Sequence, residues 1–161
     1  MQKIAETSRL ISLAVLFGGS AAVVFVAIVL VKAAKANGVE VSEAAFRNGP
    51  AFIQFGKVAA GAAIVLLGSE VAHFLSRKKK AMDKPRLLRY VLSFLCATTA
   101  LIFAFGIVPP MEKLLPSIRT DQEAHAKFHK LHETSRAVFG ASIVFALLSL
   151  ITPPLSKREE D

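Results

Sequence analysis

Four long apolar runs constrain this chain more than anything else in it. They cover about residues 10–32, 50–75, 90–108 and 137–152, and the first is almost unbroken from Leu10 to Val31. A bilayer's hydrocarbon core is about 30 Å thick and takes about 20 helical residues to cross, so runs of this kind read as spans. No run alternates with the period of two that a strand requires. In lipid a helix satisfies its own backbone N–H and C=O groups, whereas an open sheet edge does not. The expected fold is therefore all-α, a four-transmembrane-helix bundle forming one integral membrane domain over residues 1–161. Composition agrees: 53% of residues are hydrophobic, mean hydropathy is +0.51 and tryptophan is absent, which is too apolar for an ordinary soluble domain.

Charge orients the bundle. The net charge of +8 is concentrated in the connection RKKKAMDKPRLLR, where seven Lys or Arg stand between Arg77 and Arg89 against Asp83 alone. Basic connections of this type stay in the cytoplasm. Four spans return the chain to its starting side, so both termini, with Lys3, Arg9, Lys157 and Arg158, are expected there too. Charge gathered in this way is not a nucleic-acid footprint, and nucleic acid is not an expected partner. The lone Cys96 sits in an apolar run and allows no intramolecular disulfide. Ala34, Lys35 and Ala36 imitate a signal-peptide cleavage site, but the run before them exceeds the 7 to 15 residues of a signal core, so the segment is expected to remain as a span.

Along the chain, Gly18, Gly19, Ser20, Ala21 and Ala22 offer small residues for close helix approach, as do Gly56 to Ala63. Asn37 and Gly38 make a helix stop, and Ser42 can cap a short amphipathic connector at 42–48 before Gly49 and Pro50 break the chain. The second span carries Lys57, Glu70 and His73, each within about two turns of an end. Ionisable groups in a span are costly. Snorkelling explains Lys57, and pairing with nearby arginines explains Glu70. Lys57 and Glu70 point about 140° apart on a helix, which disfavours a shared proton relay. Pro109 and Pro110 should stop the third span, and a second amphipathic connector at 110–136 follows, with Met111, Leu114, Leu115 and Ile118 free to lie on the bilayer surface.

The last helix should run from Thr120 to Thr152, about 48 Å at 1.5 Å per residue, and so extend beyond the bilayer. Thr120 and Glu123 have capping-box spacing, and Pro153 and Pro154 should end it. Its wet half holds His125, His129 and His132 at i, i+4 and i+7, within about 60° of helix surface, with Asp121 and Arg136 on the same stripe. Such histidines can ligate a metal, with Asp121 or Glu133 adding a carboxylate. The permanent cation of Arg136 one turn from His132 opposes a dication. The favoured expectation is an inward-facing, hydrogen-bonded structural stripe flanked by Phe128 and Phe139, opposite Lys127 and Lys130, with no bound metal and no cofactor.

Phe128, His129, Leu131, His132 and Ser135, in the frame FHKLHETS, resemble the signature at the start of the last span in the transmembrane protein 205 family of small four-span proteins. PPMEKLL, from Pro109 to Leu115, is similar to that family's exit from its third span, and SEAAFRNGPAFIQFG is compatible with its loop into the second. The resemblance covers about the last third of the chain. It implies a four-helix membrane protein in which Phe128, His129, His132 and Ser135 matter, and it implies no reaction. The function expected is that of a non-enzymatic accessory or interaction subunit whose partners are the bilayer and other membrane proteins or further copies of the chain. The alternative is a haem- or metal-binding membrane protein using His125, His129 and His132.

Overall fold

The computed structural model describes residues 2–39, 41–76 and 84–156. The basic stretch at 77–83, Lys157, Arg158 and the side chain of Ser42 lie outside the described residues. Four helices follow one another: α1 Gln2–Ala36, α2 Val41–Leu75, α3 Lys84–Ser117 and α4 Gln122–Ser156. All four contain stretches long and apolar enough to cross a membrane, the mark of a multi-pass membrane protein. They run up and down in sequence order, and each packs on its two neighbours. The start of α1 and the end of α4 therefore share one end of the bundle.

The turn between α1 and α2 forms where Asn37 and Gly38 place it. Gly38 takes a φ of +74°, which glycine adopts without a Cβ clash. The Val39 N–H donates to the Ala34 carbonyl at 2.9 Å and the Gly38 N–H to Lys35 at 3.1 Å, closing the helix end in a Schellman pattern. The Asn37 amide adds a bond to the Ala33 carbonyl at 2.8 Å.

Proline breaks the helices less than its reputation suggests. The connector at 42–48 is continuous with the second span, and Pro50 lies inside α2. Its missing N–H removes one ladder bond on an exposed side, while Phe52 and Ile53 hold the segment against α3 and α4. Nor do Pro109 and Pro110 stop the third span. A π-helical turn at Ile102–Ile107 precedes them, and they occupy the second and third positions of a fresh α-helical segment, Val108–Leu114, within the first turn, where an N–H has no partner in that segment to lose. Leu115–Ser117 then closes α3 as a 3-10 turn, so the connector read at 110–136 is divided between the end of α3 and the start of α4. At the far end α4 continues through Pro153 and Pro154 to Ser156. They remove only the bonds to the carbonyls four residues back, in its final turn.

The α4 start is also shifted. Asp121, not Thr120, caps it: its Oδ1 accepts from the N–H groups of Glu123 at 2.8 Å and Ala124 at 3.3 Å. Thr120 instead donates its hydroxyl to the Ser117 carbonyl at 3.4 Å.

Two layers of core fill the bundle. One joins Leu13 and Leu16 of α1, Ala59, Ala63 and Leu66 of α2, Cys96, Ala97 and Ala100 of α3, and Ala146 of α4. Here α3 and α4 make the most extensive contact in the molecule. Ser93, Cys96 and Ala97 face Ser142, Ala146 and Ser149, and such small side chains let two backbones approach where lipid gives no hydrophobic drive. Ser142 Oγ donates to the Cys96 carbonyl at 3.4 Å, and Cys96 Sγ lies 3.6 Å from the Ser142 carbonyl.

The second layer is aromatic. Phe139 meets Phe52, Phe55 and Phe103, with centroids at 6.2, 6.0 and 4.6 Å, the first two edge-on. A Cβ at Gly19, the last residue of a second π-helical turn at Val15–Gly19, would stand 2.7 Å from Phe55 Cε2, and one at Gly56 would stand 3.2 Å from Val108 Cγ2. These glycines are the close contacts expected of the small-residue patches. Gly18 and Gly61 are not, for a Cβ there meets nothing within 4 Å. Gly61 points outward because the inward face of α2 follows Ala59, Ala63 and Leu66.

Candidate functional site: an ion-pair network shared by four helices

The end of the bundle that holds the start of α1 contains charges that a span would ordinarily exclude. Arg9 is 1% exposed although it opens an apolar run. It is buried because it occupies the inward positions of α1, which continue through Ala5, Ser12, Leu13, Leu16 and Ser20 at helical spacing. A buried charge must be paired. Its Nη2 donates to Glu6 Oε1, one turn back, at 2.6 Å, and its Nε reaches the same carboxylate at 3.2 Å.

Glu6 is the hub. His73 Nε2 of α2 lies 3.0 Å from Glu6 Oε2, and Arg89 Nη1 of α3 lies 3.7 Å from it. Arg89 then crosses to Glu70 of α2 through Nη2 at 3.1 Å. Ser93 Oγ of α3 donates to the other oxygen of Glu70 at 2.7 Å and sits 2.8 Å from Ser149 Oγ of α4. All four helices thus contribute to one polar chain. Gln2 adds a bond from its side-chain amide to the Ser76 carbonyl at 3.3 Å, tying the start of α1 to the end of α2.

Among the described residues the network joins two guanidinium groups, two carboxylates and the His73 imidazole. Partial burial raises the Glu6 carboxyl, but the hydrogen bond from Arg9 and the charges of Arg9, Arg89 and His73 outweigh it and hold the group below its ordinary value of 4.5. Three buried nitrogens, Arg9 Nη1, Arg89 Nε and His73 Nε2, have no hydrogen-bond partner among the described residues. For His73 the Glu6 oxygen is close enough but poorly aligned. Chemically, the arrangement pins the four helices together.

The expectation that Glu70 pairs with an arginine is met by Arg89. Lys57 is exposed and lies about 20 Å along α2 from Glu70, apart from the network. Sequence reading did not find Glu6, Arg9, Ser93 or Ser149 as members. The signal available was the i, i+3 spacing of Glu6 and Arg9 on the same face as Ala5, Ser12 and Leu16.

The histidines lie at the other end. His125, His129, His132 and Arg136 are all exposed, so the stripe expected to face inward faces outward. The inward stripe stands one residue away, at Ala124, Phe128, Leu131, Ser135 and Phe139, about 100° around the helix. Apolar burial of Phe128, Leu131 and Phe139 decides the rotation, and the histidines follow. His129 Nδ1 is 3.9 Å from Glu133 Oε1, with both side chains 65% exposed. His132 stacks on Phe128 with centroids 6.4 Å apart. Desolvation, then the charges of Arg136 and His129, push its imidazole below the ordinary 6.5. Ser135 Oγ donates to the His132 carbonyl at 2.7 Å. Asp121 uses its carboxylate on the helix cap. Among the described residues no three or more His, Cys, Asp or Glu are grouped to hold a metal ion. No family model matches the chain, and neither a curated protein nor a solved structure matches it.

Proposed function

We propose that this chain is a non-enzymatic accessory subunit that works through helix contacts with another membrane protein, with both termini in the cytoplasm. The observation that supports it is the second half of α1. Beyond Ser20 no residue of α1 is buried, although α1 crosses the full height of the bundle. Phe25, Ile28 and Val29 form an outward apolar face there, with Ala21 beside it. Ser20–Ala36 packs mainly on α2, which leaves this outward face free for a neighbour's helix, and van der Waals packing is the force that seats one in lipid. The charge of the 77–89 connection supports the orientation, and the resemblance to a four-span family supports the class.

Photo-reactive residues placed at 25 and 29 test this reading in native membranes, with positions 64 and 105 on the exposed faces of α2 and α3 as references. Positions 25 and 29 should give one discrete protein adduct, and positions 64 and 105 should label lipid. Lipid adducts alone from all four positions would sink the proposal.

A further inference from the structure

Between α1 and α2 runs a cleft that changes character along its length. Its inner part, about 200 Å³, is lined by Val23, Val26 and Ala27 of α1 and by Ala51 and Phe52 of α2. Its outer part, about 430 Å³, is lined by Ala33, Ala34 and Asn37 of α1 and by Arg47 of α2. Leu30 and Asn48 line both, so the two parts adjoin. Together they lie within the range of about 300 to 1,000 Å³ usual for ligand pockets.

The polarity gradient runs along α1. The inner part sits beside the apolar run of α1, whereas the outer part sits where that run gives way to Lys32, Lys35 and Asn37. At the junction Asn48 Nδ2 is buried and has no hydrogen-bond partner among the described residues. A buried amide donor without an acceptor is costly, and its position at the boundary of the cleft marks where an acceptor belongs. Among the described residues, Glu43 is shared by Arg47, at 3.0 Å, and by Arg119, so there one carboxylate serves two cations.

From these observations we infer that the cleft between α1 and α2 is a binding site for one acidic glycerophospholipid. An acyl chain fills the inner part beside Val26 and Phe52. The ester and phosphate oxygens lie in the outer part, where Asn48 Nδ2 donates to one of them and Arg47 faces the headgroup charge. A free anion does not use the apolar inner cleft, and a bare hydrocarbon does not use Asn48. Only an amphiphile satisfies both ends.

The experiment is native mass spectrometry of the full chain released from mild detergent after exchange with phosphatidylglycerol or, separately, phosphatidylcholine. One phosphatidylglycerol should remain bound and survive more activation than phosphatidylcholine. Asn48→Leu should lower its retention about tenfold, as loss of one bond to an ionised or ester oxygen does. Ala27→Phe should fill the inner cleft and abolish retention of both lipids. Ile64→Phe, on the exposed face of α2, should change nothing. The Asn48→Leu protein keeps the inner cleft and removes an unpaired donor, so it should melt no lower than the parent without lipid, and this separates lost binding from lost folding. Equal retention in the parent, Asn48→Leu and Ala27→Phe would place any bound lipid elsewhere and overturn the site. Equal retention of the two lipids by the parent would overturn its preference for acidic headgroups. Co-purification of a protein that displaces lipid and is lost in Ala27→Phe would assign the cleft to a partner helix instead.

Discussion

Among the described residues Arg9 is held by one carboxylate, Glu6, and the consequences of removing either member differ. Arg9→Ala strips Glu6 of its nearest cation and opens a hole among Ser12, Leu13 and the neighbouring helices, so a loss of about 3 to 5 kcal/mol is expected, the usual cost of breaking a buried pair. Arg9→Met with Glu6→Gln should recover much of that loss in a thermal melt, since no uncompensated charge remains. Glu6 also gives the network an acid limit. A carboxyl held below 4.5 contributes stability that is fully present above 4.5 and is lost as pH falls through its folded value. Melting temperature measured against pH should therefore drop below 4.5 in the parent, and the drop should flatten in Glu6→Gln. An unchanged acid limb in that variant would remove Glu6 from the account. At the opposite end, His129→Ala and His132→Ala should each shift stability by no more than about 0.5 kcal/mol, as exposed substitutions do. Zinc should leave the melting temperature of the parent unchanged, and a rise that vanishes in both variants would assign the histidines to a metal. Residue types gave uneven guidance here. Glu70 announced a partner because a carboxylate in a span demands one, whereas Arg9 passed for a flanking positive-inside charge until its register with Leu13 and Leu16 was visible. The histidine spacing was legible; which way it faced was decided by Phe128 and Leu131.

Helix lengths and kinks belong to the next scale. The apolar runs located all four helices, but prolines made their ends hard to read, because a proline's effect depends on the hydrogen-bond pattern of the turn before it. At Pro109 and Pro110 the preceding turn is a π turn, which no propensity in IFAFGI signals. Small residues are equally ambiguous in sequence: Gly19 and Gly61 look alike and have opposite surroundings. Gly19→Ala should cost about 1 to 3 kcal/mol, because its Cβ would press on the Phe55 ring and force it off its place against Phe139. Gly61→Leu, facing outward, should be near neutral in detergent. Leu66→Ala in the same helix should cost about 2 to 5 kcal/mol. If Gly61→Leu proved as damaging as Leu66→Ala, the rotation of α2 described above would be wrong.

For the molecule as a whole, four helices in alternating directions put Gln2, Leu75, Lys84 and Ser156 at one end and Ala36, Val41, Ser117 and Gln122 at the other. With native Cys96 buried, cysteines introduced at 40 and 120 should react with an impermeant maleimide from outside the cell, and one at 80 should not. The reverse pattern would invert the orientation. Connectivity was readable from run lengths and charge alone; which helix faces pair was not, since lipid-facing and partner-facing apolar residues look identical in a sequence. The unequal packing of α1 also has a mechanical meaning. Below its π turn at Val15–Gly19 the helix is clamped by Arg9 and Glu6, and above it the 17 residues of Ser20–Ala36 form an arm that leans mainly on α2. With a rise of 1.5 Å per residue, a tilt of about 10° at that turn would carry the tip near Ala36 sideways by about 4 Å. Spin labels at 29 and 105 should accordingly give a broader distance distribution than labels at 10 and 87, and whatever settles beside the arm sets the angle at which it stands.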